Sequence, residues 1–271
     1  MRCSICNQNS WSKYLDDLVK CTNCGFIRAH DKYFKINPIK FYGQDYFKSG
    51  YGNYAKEQVA LEKNFKDRIK RIRKYKAKGR LLELGCAHGY FLKNAQKYYQ
   101  CFGIDLNPKV TKVTKANTNA KILTGDFLRQ KLQKNYFDII CMFDTIEHIK
   151  HPEKYLKKVY EILKPNGLVV IETGNIESLL AKLQGKGWRL IMLPDHLQYF
   201  TKSSLVQLLT NSGFETKLIS TVGFFRTFRQ IIYRLTGNKN FLDSPNRLLD
   251  KSISINTFDL IFCIAQKVNT R

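Results

Sequence analysis

Leu81-Leu82-Glu83-Leu84-Gly85-Cys86-Ala87-His88-Gly89-Tyr90-Phe91-Leu92 is the stretch whose reading decides the architecture. Leucines around a single acid read as a buried strand, Gly85 to Gly89 as a turn, and Tyr90 to Tyr98 as the helix that follows. The unit recurs downstream. Cys101-Phe102-Gly103-Ile104-Asp105 is a second strand ending in an acid, and Lys121-Ile122-Leu123-Thr124 a third, followed by Gly125-Asp126-Phe127. Phe137 to Phe143 makes a fourth and Leu168 to Ile171 a fifth, after the turn Lys164-Pro165-Asn166-Gly167. Strands alternating with helices predict an α/β domain built on a parallel sheet covered on both faces. Phe214 to Thr221 and Thr257 to Gln266 are later strand candidates.

The glycine-rich turn sets the ligand class. A dinucleotide fingerprint needs Gly-x-Gly-x-x-Gly, but counted from Gly85 the second and third positions are Ala87 and Tyr90, and a tyrosine blocks close helix-to-strand packing. The observed Glu83-x-Gly85-x-Ala87-x-Gly89 begins instead with a carboxylate at a strand end, which suits a cationic ligand group better than a diphosphate. Asp105, 22 residues further on, is placed to accept both hydroxyls of a ribose.

With these residues in hand, together with Gly103-Ile104-Asp105, Gly125-Asp126-Phe127, Phe137-Asp138-Ile139-Ile140, Glu147-His148 and Leu163-Lys164-Pro165-Asn166-Gly167, the chain resembles the class I S-adenosylmethionine-dependent methyltransferases over about residues 40–267. The resemblance implies a Rossmann-like, mostly parallel, doubly wound sheet of seven strands with the last antiparallel. It implies that Glu83, Gly85 and Gly89 surround the methionine part of the cofactor, that Asp105 binds the ribose, and that Asp126 and Phe127 hold the adenine. Phe143 and Asp144 line the cofactor and acceptor sites, and Ala87, Tyr90, Leu106 and Tyr54 are further cofactor-binding candidates. Ala87 stands where the family usually has glycine, and His88 where it often has threonine.

Four of the eight cysteines form Cys3-x-x-Cys6 and Cys21-x-x-Cys24, with 14 residues between the pairs. Two residues between thiolates let one turn offer both sulfurs to a single tetrahedral ion, and Asn7 tolerates left-handed backbone after Cys6. The pattern predicts a structural Zn2+ in a small N-terminal zinc ribbon; a redox dithiol pair or incidental cysteines are the alternatives. Cys86, Cys101, Cys141 and Cys263 lie among apolar neighbours and read as core residues. The expected organisation is a ribbon over 1–30, a tyrosine-rich segment and basic helix over 31–78, and the methyltransferase domain over 79–271. The tyrosine-rich run from Phe41 to Tyr54 reads either as a cover over the ligand or as a linker.

The ribbon, Glu147-His148 and the late Asp195-His196-Leu197-Gln198-Tyr199-Phe200 together look like bacterial methyltransferases of surface polysaccharide and secondary-metabolite pathways, and are similar to the zinc-containing sugar C-methyltransferases. That resemblance implies a histidine base, placing His196 first and His148 second, with Asp144 as a third catalytic candidate; either histidine also admits a structural role. The acceptor it implies is a small molecule or glycan, such as a nucleotide- or lipid-linked sugar.

With 46 Lys plus Arg against 22 Asp plus Glu, the 271-residue chain carries a formal charge of +24. Ten cations fall within residues 63–80, on a helix whose Leu61, Phe65, Ile69 and Ile72 recur at helical spacing. At 44% apolar residues a disordered polycation is excluded. The start lacks the apolar stretch of a signal peptide, and no apolar run reaches the roughly 18 residues of a membrane span, so the expected location is cytoplasmic. Gly223 to Leu235 reads as a short apolar helix bearing Arg226, Arg229 and Arg234, used either in packing or against anionic lipid at the inner membrane face. A ribosomal RNA methyltransferase is the alternative that the charge invites, though no aromatic-basic RNA-binding motif is present. A non-catalytic S-adenosylmethionine-binding module is the second alternative.

Overall fold

The structure is a computed structural model that describes residues 2–36, 54–238, 240–244 and 246–268, without the side chains of residues 54–59, 234, 235, 243 and 247. Most of the tyrosine-rich run, and the side chain of Tyr54, lie outside this description.

Three short strands open the chain: β1 (Trp11–Leu15), β2 (Leu18–Cys21) and β3 (Ile27–Ala29), followed by the four-residue helix α1 (Asp31–Phe34). Helix α2 (Tyr54–Arg73) leads into β4 (Arg80–Leu84), α3 (Tyr90–Ala95), β5 (Gln100–Asp105), α4 (Pro108–Asn117), β6 (Lys121–Thr124) and β7 (Phe137–Phe143). Then come α5 (Pro152–Ile162), β8 (Leu163–Gly174), α6 (Leu179–Gln184), β9 (Gln198–Tyr199), α7 (Lys202–Asn211) and β10 (Phe214–Thr221). The chain closes with β11 (Phe224–Thr227), α8 (Phe228–Thr236), α9 (Asn240–Asp243), β12 (Ser252–Ile255) and β13 (Leu260–Lys267).

Among the described residues, seven strands form one sheet in the order β10-β13-β8-β7-β4-β5-β6. The pairs β4/β5, β4/β7, β5/β6 and β7/β8 are parallel, and β13 lies antiparallel between β8 and β10. The expected sheet is present, with its antiparallel last strand. The reason is in the strand sequences: β7 is buried at every position, as a strand sandwiched between two helical layers must be. Leu82, Ile140, Val169 and Ile171 pack one face, with Leu156, Leu205 and Leu208 above them. Leu81, Ile139, Val170 and Phe262 pack the other, with Ile69, Ile72 and Phe91. The lone cysteines at 86, 101, 141 and 263 are all buried.

The expected turn at 164–167 survives as a bulge inside β8. Phe137 pairs with Leu163 and Ile139 with Leu168, so two steps along β7 meet five along β8.

The expected single helix from 223 to 235 is instead a strand, β11, and a helix, α8. Thr227 begins the helix with a reciprocal cap, its hydroxyl accepting the Gln230 N–H (3.4 Å) while the Gln230 side chain accepts the Thr227 N–H (3.0 Å). Arg229 is buried against Asp250 (2.6 Å), and Arg226 stacks on the Phe224 ring at 4.2 Å, so these cations serve internal contacts. Among the described residues no helix is long and apolar enough to cross a membrane.

The N-terminal ribbon does not stand apart. Its sheet, in the order β1-β2-β3-β9, takes its fourth strand from residues 198–199, where Ile27 pairs with Tyr199 and Arg28 with Gln198. Phe26 and Phe200, both fully buried, meet with ring centroids 5.4 Å apart, and the Asn211 side chain donates to the Ile5 carbonyl at 2.7 Å. Replacing Phe26 with alanine is expected to cost about 3–5 kcal/mol and to loosen the ribbon from the sheet domain. Chemical denaturation would measure the loss; a cost under about 1 kcal/mol would mean that the ring pair does not hold the ribbon.

Candidate functional site

The carboxyl ends of β4, β5 and β7 converge on a cavity of about 660 Å³, closed on one side by Leu61 and Phe65 of α2. Glu83, Gly85, Ala87, Gly89, Tyr90, Asp105, Leu106, Asp126, Phe127, Phe143 and Asp144, all cavity-lining candidates in the sequence, do line it. His148 lines it as well, but His196 is absent from the wall.

The turn after β4 is built around two glycines in left-handed backbone. Gly85 has φ 74° and Gly89 φ 79°, and a Cβ on either would lie 2.6 Å from a threonine side-chain atom, of Thr145 and Thr114 respectively. Ala87 is held at φ 41°, which accounts for the glycine usual at this place in the family it resembles. Asp105 fastens the turn: one carboxylate oxygen accepts the Ala87 N–H (3.0 Å) and the other the Asn107 N–H (2.9 Å). Burial pushes the Asp105 carboxyl above its ordinary range despite those bonds. Glu83, 4% exposed, has one carboxylate oxygen with no hydrogen-bond partner among the described residues. Burial, and then the neighbouring Asp105, raise its pKa well above the usual value. A buried acid kept without a partner is costly unless a ligand satisfies it, and an ammonium group would. The residues therefore fit S-adenosylmethionine, which carries a cationic amino group and ribose hydroxyls.

The end of the cavity at Asp126 and Phe127 is equally organised. Asp126 caps a short turn by accepting the Leu128 N–H (3.0 Å) and also takes the Tyr155 hydroxyl (3.1 Å). Lys158 donates to the carbonyls of Phe127, Leu128 and Gln130, pinning this turn so that Phe127 packs on Tyr155 with centroids 5.3 Å apart. Phe143 closes the middle of the cavity against Phe91 (4.7 Å).

Beyond Phe143 the lining becomes ionisable. Asp144 sits at φ 45° with surface open to solvent, and the protein crowded around it, with the nearby Glu147 carboxylate, lifts its pKa to about 6. Glu172, also in the wall, is held by Arg68 through bonds of 2.6 and 3.2 Å. Arg68 is thus not one of the solvated cations of the basic helix: it is 3% exposed and also donates to the Gly223 carbonyl. Its position between Phe65 and Ile69 on the apolar face was the signal for this.

One ligand-type atom from each of Glu147, His148 and His196 lies within 4.8 Å of the others. This crowding sets the two histidines apart. His148 donates Nδ1–H to Asp195 Oδ1 at 2.9 Å; burial alone would lower its pKa, but Asp195 and Glu147 raise it to about 9. His196 is 7% exposed, stacks edge-on against His148 at 4.7 Å, and is tied by Nδ1 to the Leu190 carbonyl at 2.8 Å. Burial and the neighbouring His148 charge push it down to about 4. His148 is therefore an imidazolium at neutral pH that faces the cavity, and His196 a neutral ring behind it. No residue spacing announces the pairing of His148 with Asp195, 47 positions away.

A second cluster lies in the ribbon, where the sulfurs of Cys3, Cys6, Cys21 and Cys24 all lie within 4.8 Å of one another. Cys3 to Cys24 and Cys6 to Cys21 are each 3.6 Å, far beyond a disulfide bond and close to the about 3.8 Å edge of a tetrahedron with metal–sulfur bonds of about 2.3 Å. Asn7 takes the left-handed conformation, at φ 61°. The donor set fits Zn2+.

Comparison with known proteins agrees with this geometry. Among curated proteins, the ubiquinone biosynthesis O-methyltransferase of Cereibacter sphaeroides is 27% identical over 148 residues, which cover 50% of this chain and 60% of that protein. The chain thus spans about 60% of the length of that relative. In fold it is similar to a SAM-dependent methyltransferase from Thermotoga maritima (TM-score 0.56, 18% identity, covering 82% of this chain and 98% of the other). It is also similar to the magnesium protoporphyrin IX methyltransferase of Synechocystis with bound SAH (TM-score 0.55, 12% identity, 83% and 97% covered). A family model described as a methyltransferase domain matches residues 55–218, more than half of the chain and every wall of the cavity, and the chain belongs to that methyltransferase domain family.

Proposed function

We propose that the chain transfers a methyl group from S-adenosylmethionine to a hydroxyl of a small-molecule acceptor. The observation that carries this reading is the pair of buried acids ending β4 and β5: Glu83, one oxygen of which has no partner among the described residues, suits the cationic amino group, and Asp105 suits the ribose. S-adenosylmethionine supplies an electrophilic methyl on a sulfonium; as the acceptor oxygen–carbon bond forms, the carbon–sulfur bond breaks and S-adenosylhomocysteine leaves. The chain's contribution is alignment and proton handling. Asp144, ionised at neutral pH with a pKa of about 6, takes the acceptor proton, and the His148 imidazolium stabilises the oxygen as charge develops on it. His196 holds the back of the His148 ring. The relatives named for O-methyl transfer support an oxygen acceptor, and the ribbon with the Asp195 to Phe200 segment supports a saccharide on a nucleotide or lipid carrier as the molecule that bears it.

Glu83→Gln keeps the side chain's shape and removes its charge. We expect the ligand-free variant to melt no lower than wild type and to bind S-adenosylhomocysteine at least about tenfold more weakly by calorimetry. Unchanged affinity would remove Glu83 from the site.

The proton assignment predicts a bell-shaped profile. Activity should rise as pH increases through about 6, where Asp144 loses its proton, and fall through about 9, where His148 loses its own. Asp144→Asn should abolish the acid limb; a profile flat from pH 5 to 10 would contradict both roles.

We further propose that Cys3, Cys6, Cys21 and Cys24 hold a structural zinc, leaving no coordination position for substrate. Elemental analysis of the purified protein should find zinc near one equivalent per chain, lost together in Cys3→Ser/Cys21→Ser. Stoichiometric protein without metal would disprove the site.

A further inference from the structure

Two strongly exposed apolar side chains share one short helix. Leu179 and Leu183 are 73% and 76% exposed, the largest values for big apolar side chains among the described residues. Four positions apart on α6, they share a face, and Lys182 and Lys186 are exposed beside them.

The segment is not loosely attached. Ser178 caps α6 by accepting the Ala181 N–H (3.1 Å), and Ala181 is buried beneath the helix. Trp188, 2% exposed, donates its indole N–H to Asp259 at 3.0 Å. Asp259 is wholly buried, also binds Arg189 at 3.1 Å, and through its carbonyl accepts the Asn175 N–H at 2.8 Å. Both ends of the α6 segment are therefore fastened to Asp259.

The residue before that anchor is Phe258, with φ 57° and 63% of its surface exposed. A bulky side chain in left-handed backbone carries a steric cost that glycine would avoid, and an exposed ring recovers none of it through core packing. Two exposed apolar side chains stand on a stapled helix, a third is next in sequence to the residue that staples it, and Lys182 and Lys186 are exposed on the same segment of a chain of net charge +24. Water is a poor environment for such a surface, and an anionic interface satisfies both its apolar and its cationic parts.

We propose that Leu179, Leu183 and Phe258 form a wedge that seats the protein on an anionic lipid bilayer, with Lys182 and Lys186 at the headgroups. The helix α6 comes after β8 in the chain, and Glu172 of β8 lines the cavity. The lipid assignment goes beyond the methyl-transfer reading and stands without it, because vesicle binding needs no turnover.

Co-sedimentation of the full chain with phosphatidylcholine vesicles, with and without phosphatidylglycerol, tests the proposal. Wild type should bind the phosphatidylglycerol vesicles and not the neutral ones. L179E/L183E should bind at least about tenfold more weakly with an unchanged melting midpoint. Phe258→Gly should also bind more weakly while melting no lower than wild type, since glycine accepts φ 57°. Failure of wild type to bind anionic vesicles would overturn the proposal, as would variants that bind as well as wild type. Dimerisation abolished by L179E/L183E, without vesicle binding, would assign the wedge to a second copy of the chain and overturn the lipid assignment.

Discussion

Two carboxylates buried at the ends of adjacent parallel strands, Glu83 on β4 and Asp105 on β5, are the constraint to which the rest of the site is fitted. Asp105 spends both oxygens on backbone N–H groups and so locks the turn after β4 onto the loop after β5. That lock demands backbone that L-residues resist, which is why Gly85 and Gly89 occupy the tightest places and Ala87 sits at φ 41°. Among the described residues Glu83 has no such partner for one oxygen, and its raised pKa records the cost. A fold that tolerates this arrangement keeps part of its stability in reserve for a cationic ligand. The proposed cofactor is the molecule that releases it.

The end of the cavity at His148 depends on a different coupling, between the ribbon and the sheet domain. The segment from Asp195 to Phe200 does three jobs in sequence: Asp195 grips His148, residues 198–199 complete the ribbon sheet, and Phe200 packs on Phe26. The Leu197 N–H donates to the Glu147 carbonyl at 2.8 Å, and the Ala29 N–H to the Leu197 carbonyl at 2.9 Å. A ribbon cross-linked by metal would thereby buttress the loop that orients His148. This gives the proposed zinc a role at the cavity without placing it there.

The sheet and much of the cavity lining were legible because their signals are local: acids at strand ends, glycines at fixed offsets, and apolar runs of strand length. The ribbon cysteines were legible for the same reason. Other features depend on partners distant in sequence. Gln198 and Tyr199 are a strand only because β3 lies beside them. Arg68 was hidden among the cations of the basic helix, although its place between Phe65 and Ile69 marks it as inward-facing. The two histidines look alike in sequence; Asp195 and Glu147 lift His148 to about 9 against its burial, while burial and the His148 charge push His196 down to about 4. The division of 223–235 into β11 and α8 had a readable signal in Thr227-x-x-Gln230, which caps the helix start.

The central claim is that the cavity at the ends of β4 and β5 receives S-adenosylmethionine through these two acids. A crystal structure of the protein with S-adenosylhomocysteine measures this most directly. The account predicts the ribose hydroxyls on Asp105 and the amino group on the side of Glu83, each within about 3 Å or bridged by one water. Ligand bound elsewhere, or a cavity left empty at saturating ligand, would contradict it.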